Sequence, residues 1–238
     1  FFLLKDFQVP DFIDCTIRTG SPASPSYRAA LIYISPRWIR ANAEKINLSR
    51  SPGTGENDFA LLRITGSVKE STALPPRFTY SVPDPTFESF FPQNPVLLVS
   101  YPAELLGGIL TQTSLNQVSS LGTIKKGFFF IGHTLGMLDI FSLGGNITAQ
   151  GGSSGGAVID SLTGKLIGIL VTSTVAASTD EKNLTSLSLS HINRGLEEET
   201  GQNLGTFIGP DPSILQQNFE RSAFQEMKNI LVNAIDHN

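Results

Sequence analysis

GGSSGGAVIDSLTGKLIGILVTS, residues 151–173, is the stretch on which the reading of this chain turns. Four glycines around Ser153 and Ser154 suit a flexible loop, a phosphate cradle or the seat of a nucleophile. The residues C-terminal to the glycines narrow the choice. AVID and KLIGILV are short apolar runs joined by the turn SLTG, which is the pattern of two antiparallel strands. The glycine loop therefore opens a β-hairpin.

The rest of the chain agrees with a β-rich globule. It has 238 residues, 40% hydrophobic and 16% charged, enough to bury a sizeable core as one domain or two small ones. A net charge of −4 and no basic cluster beyond Lys125-Lys126 argue against a nucleic-acid surface. No apolar run reaches the length of a membrane span. Cys15 is the single cysteine, so no intrachain disulfide forms, and it reads as a small apolar residue. The three histidines, His133, His191 and His237, stand far apart and outside any ligand-type spacing, so no metal and no cofactor is expected.

FIDCTIRTG, YRAALIYIS and FALLRITG read as strands in residues 1–73, with a helical turn or two around Trp38 and Ile39. Residues 74–95 hold six prolines and read as a connector, because proline fixes φ and denies a sheet its donor. Strand-like pieces then recur over residues 96–189: VLLVSYP, SLNQVSSLG, GFFFIGHT, LDIFSLGG, ITAQ, GAVIDS, KLIGILVTS and SLSLS. That spacing predicts an antiparallel barrel or sandwich. Residues 190–238 carry helical periodicity in two stretches, SHINRGLEEETG with Ser190 as candidate N-cap, and PSILQQNFERSAFQEMKNILVNAI.

Gly152-Ser153-Ser154-Gly155-Gly156 matches G-x-S-x-G, which the α/β-hydrolases place on a strand-to-helix elbow. Asp180 and His191 come after it in that family's order, but a second strand and no helix succeeds the serine, so that reading fails. The segment instead resembles the G-x-S-G-G turn and adjoining hairpin of the trypsin-like (chymotrypsin-fold) serine peptidases, of the bacterial type without disulfides. ENDFALLRI, residues 56–64, is similar to that family's acid motif, and VLLVSYP to the strand opening its second barrel.

The resemblance implies an all-β fold of two antiparallel six-stranded barrels, the first incomplete, followed by C-terminal helices. It implies a serine endopeptidase acting on a peptide or protein through an acyl-enzyme on Ser154, with Asp58 orienting the base. The N–H groups of Gly152 and Ser154 would form the oxyanion hole. Val171, Thr172 and Ser173 would pair with the substrate backbone, and Thr148 would floor the specificity pocket. A hydroxyl there offers no anion to a basic side chain, so cleavage after a small or apolar residue is expected. The family's habit points to the cell envelope or the outside.

One element of the pattern is missing. The family's histidine precedes the acid, and here none stands before His133. The expectation is that the base lies upstream of Phe1, together with the strands the first barrel lacks, and that the 238-residue chain alone turns over no substrate. The alternatives are an inactive, peptide-binding pseudopeptidase and His133 as an unusual base.

Overall fold

A computed structural model of the chain describes residues 15–45, 55–87, 93–103, 110, 113–130, 137–144, 151–173, 184–209 and 211–236. They form two compact units. One comprises residues 1–17, 26–74 and 201–238, the other 18–25 and 75–200.

The larger unit is a closed antiparallel barrel. Its strands are β4 (Pro95–Ser100), β5 (Val118–Phe128), β6 (Ile140–Leu143), β7 (Ala157–Asp160), β8 (Leu166–Ser173) and β9 (Leu184–Ser188). They pair in the order β4-β5-β6-β9-β8-β7, and β7 closes on β4. Alternation builds it: Val96 and Leu98 point inward and are fully buried, while Leu97 and Val99 between them are only partly covered. Phe141, Ile124, Val158 and Ile167 complete much of the same core. Closure leaves no ladder edge along most of the sheet.

Two details differ from the sequence reading. SLNQVSSLG and GFFFIGHT are not two strands, because Val118–Phe128 runs unbroken, with Gly122 paired to Val96 and a register shift between Ile124 and Lys126. A strand crossing a small barrel accepts a glycine such as Gly122 within it. The ITAQ piece lies outside the described residues. The described part of the proline-rich connector, residues 74–87, is irregular apart from one bridge, where Pro83 meets Leu166 in parallel. There Asp84 pairs with Lys165 at 3.2 Å and accepts from the N–H and hydroxyl of Thr86.

The helix after β9, α2 (Leu189–Thr200), belongs to the barrel unit. Its cap is Ser188 rather than Ser190: the Ser188 hydroxyl accepts from the His191 N–H at 3.0 Å, three residues on. The Ser190 hydroxyl bonds the Leu138 carbonyl instead.

The smaller unit has a three-stranded sheet, β1 (Cys15–Thr19), β2 (Ser24–Ile34) and β3 (Ala60–Ser67), in the order β1-β2-β3. Helix α1 (Pro36–Asn42) comes after β2, with Pro36 in its first turn and the Ser35 hydroxyl accepting from the Trp38 N–H. Residues 190–238 do not act as one segment, since everything from Gly201 onward packs in this unit. It comprises α3 (Leu204–Phe207), α4 (Ser213–Phe219), a wider helical turn at Glu220–Phe224 and α5 (Gln225–Asp236).

Three strands alone bury too little to be stable, and these helices supply the missing apolar surface. Tyr33 of β2 meets the rings of Phe59, Phe207 and Phe219 at 5.8, 5.5 and 5.9 Å. Arg40 of α1 pairs with Glu226 of α5 at 2.8 Å. A second closed barrel is not formed among the described residues; helices cover the sheet instead. No described helix is long and apolar enough to cross a membrane.

Candidate functional site

The glycine turn sits against the end of β4 and the middle of β8. Gly155 N–H donates to the Leu170 carbonyl at 2.7 Å, Leu170 N–H to Gly156 at 2.8 Å, and Ala103 N–H to Gly151 at 2.8 Å. Gly152 has φ +90°, and a Cβ on it would lie 2.8 Å from the Ala103 Cβ and 2.9 Å from the Ala103 nitrogen. Only glycine meets both demands. Gly156 N–H donates back to the Ser153 carbonyl at 2.9 Å, which tightens the turn.

This geometry presents Ser154 outward. Ser154 is exposed, and its hydroxyl donates to the Val171 carbonyl of β8 at 3.3 Å. Among the described residues, the N–H groups of Gly152 and Ser154 donate to nothing. A reachable hydroxyl and two N–H groups uncommitted among the described residues thus share one turn. Ser153 points the other way and is buried, its hydroxyl accepting from Ser100 at 3.2 Å.

Val171, Thr172 and Ser173 form the end of β8. The β7–β8 ladder has its last partner pair at Ala157 and Ile169, whereas β9 stays paired through Ser173. Beyond Ile169, β8 therefore has a side that β7 does not cover. Thr148, His133 and His237 lie outside the described residues.

Asp58 belongs to the smaller unit, just before β3. Its N–H donates to the Gly55 carbonyl at 3.2 Å, next to Asn57, which is buried with φ +57°. Buried Phe59 comes next and stacks on Tyr33, anchoring this corner. The Asp58 carboxylate makes no hydrogen bond among the described residues, and burial raises its pKa above the ordinary carboxylate value of 3.8.

The raised pKa has a consequence for stability. The folded unit holds the Asp58 proton more tightly than the unfolded chain does, so ionisation destabilises the fold as pH rises above 3.8. Asp58→Asn is expected to raise the melting temperature at pH 7, with the gain shrinking as pH falls through the raised folded-state value toward 3.8. Fluorescence of Trp38, the sole tryptophan and in the same unit, reads this directly. No gain at pH 7 would contradict the burial effect.

The structure adds a cluster that sequence reasoning missed. Asp139, 0% exposed, accepts on Oδ1 from Arg194 at 2.6 Å and lies 2.8 Å from His191 Nδ1 on the same oxygen. The carboxylate can only accept, so the imidazole hydrogen sits on Nδ1. Its Oδ2 accepts from the Phe130 N–H at 2.8 Å. The residues are 52 and 55 apart, and nothing local announces their meeting.

His191 and Asp139 share the kind of hydrogen bond that joins a base to its orienting acid, and the Ser154 hydroxyl bonds the Val171 carbonyl instead. Asp139 adjoins β6, and β9 lies between β6 and β8 in the strand order. The imidazole is 4% exposed and packs against Phe130, with ring centres 5.2 Å apart. No group of three or more His, Cys, Asp or Glu residues suited to a metal occurs among the described residues. Compared with known proteins, the chain matches no family model and no curated protein.

Proposed function

We propose that this chain carries the nucleophile of a serine endopeptidase of the trypsin-like type. The supporting observation is the turn at residues 151–156: an exposed Ser154 hydroxyl beside two N–H groups uncommitted among the described residues, backed by β8. Ser154 Oγ would attack the scissile carbonyl carbon while its proton passes to a histidine. The N–H groups of Gly152 and Ser154 would receive the oxyanion. The histidine then protonates the departing amine as the C–N bond breaks, and water, activated by the same histidine, hydrolyses the acyl ester. Asp58 would accept from the histidine's other N–H, and Val171 to Ser173 would pair with the substrate backbone.

We assign the base to a histidine outside these 238 residues, since none precedes position 133 and His191 is buried. The absence of a histidine ahead of Asp58 supports a second reading, a pseudopeptidase that binds peptides without cutting them. A digest of a random peptide library with the protein, including any residues encoded ahead of Phe1, separates the two. The peptidase reading expects internal cleavage after small or apolar residues. Dominant cleavage after Arg or Lys contradicts the assignment of Thr148 to the pocket, and binding without cleavage favours the pseudopeptidase.

A further inference from the structure

We infer that Ser100 is a positioning residue for the nucleophile turn, acting through Ser153. The inference rests on the proposed role of Ser154 and names what holds its turn in shape. Ser100 ends β4 at an inward position, continuing the alternation Val96, Leu98, Ser100, and is 3% exposed. A polar side chain in that row demands a partner, and its hydroxyl finds Ser153 Oγ at 3.2 Å. Ser153 is also 3% exposed.

Ser153 stands between Gly152 and Ser154, the two residues whose N–H groups are uncommitted among the described residues. Pinning its side chain into the barrel fixes the orientation of the peptides on either side. The fit around the bond is close: a Cβ on Gly156 would come within 2.8 Å of the Ser100 Cβ and 2.9 Å of the Val99 carbonyl oxygen. The end of β4 and the turn are therefore in direct contact, and a shift of Ser100 reaches the donors. A misplacement of about 1 Å in such donors is enough to slow acyl transfer.

The test measures inactivation by a fluorophosphonate in the protein carrying any residues encoded ahead of Phe1. Labelling forms the bond from Ser154 Oγ to phosphorus and breaks phosphorus–fluorine; the hydroxyl proton goes to the base and fluoride leaves. Ser100→Ala, Ser153→Ala and the double variant are compared for maximal labelling rate, probe affinity and labelled fraction. The expected result is a loss of about five- to tenfold in the maximal rate for each single variant. Probe affinity and labelled fraction stay unchanged, and the double variant is no slower than the worse single, because both remove one bond. If Ser100→Ala fails to fold, Ser153→Ala removes the same bond from the other side. An unchanged maximal rate with a lowered melting temperature reduces Ser100 to a packing residue and overturns the inference, as do additive losses. No labelling of Ser154 in the unsubstituted protein removes the nucleophile reading itself.

Discussion

Ser154→Ala is expected to lower endopeptidase turnover by about 10⁵-fold or more in the base-supplied protein while leaving the fold intact. The loss is large because the proposed mechanism forms its covalent intermediate on this residue, so its neighbours cannot compensate. The fold is spared because Ser154 is exposed and its hydroxyl makes a single bond among the described residues, to the Val171 carbonyl at 3.3 Å. Surface changes of this kind shift stability by less than about 0.5 kcal/mol. A matched pair of kinetic and thermal-melting measurements checks both halves. Turnover that survives the substitution contradicts the mechanism; a collapsed melting temperature contradicts the exposed placement of the side chain.

Asp139→Ala is expected to be the most damaging single change in the barrel. It removes the fully buried carboxylate that accepts from the Phe130 N–H and the Arg194 guanidinium and pairs with the His191 imidazole. Removing one partner of a buried ionic cluster costs about 3–5 kcal/mol. The cluster also joins the start of β6 to the cap of α2, since Ser188 N–H donates to the Asp139 carbonyl at 2.9 Å. Amide hydrogen exchange of β6 and β9 reads the loss without interference from the other unit: protection factors there should fall by about a hundredfold or more. Protection unchanged within a factor of about three would show that the cluster contributes little.

The barrel was largely legible because its strands are short apolar runs set apart by turn residues, with clean alternation in β4. VLLVS places Val96, Leu98 and Ser100 on one face, and the turn between Asp160 and Lys165 separates β7 from β8 as the glycine in SLTG suggests. The helical covering of the smaller sheet was not legible, because its ring contacts join β2 to residues near 207 and 219, far along the chain. Single-segment patterns carry no information on such pairings.

The candidate site shows the same division. Ser154 and its glycines announce themselves through spacing, since the turn needs a left-handed glycine at 152. Ser100 left a weaker mark, a polar residue in an inward-facing row, which amounts to a signal once the strand's phase is known. Asp139, His191 and Arg194 left none, because a buried ionic cluster assembled across more than fifty residues has no local pattern. His191 looked like a helix-start residue, and it is one; the helix start is what brings it to Asp139.

The measurement that bears most directly on Ser154 as nucleophile is fluorophosphonate labelling with mass spectrometry of the adducted peptide. Two forms are compared, the 238-residue chain and the protein with any residues encoded ahead of Phe1. Negligible labelling of the first is predicted, and rapid, stoichiometric labelling of the second, with the adduct on Ser154 alone. Rapid labelling of the 238-residue chain would place the base within it and contradict a base supplied from elsewhere. An adduct on another residue, or none in either form, would contradict the role of Ser154 altogether.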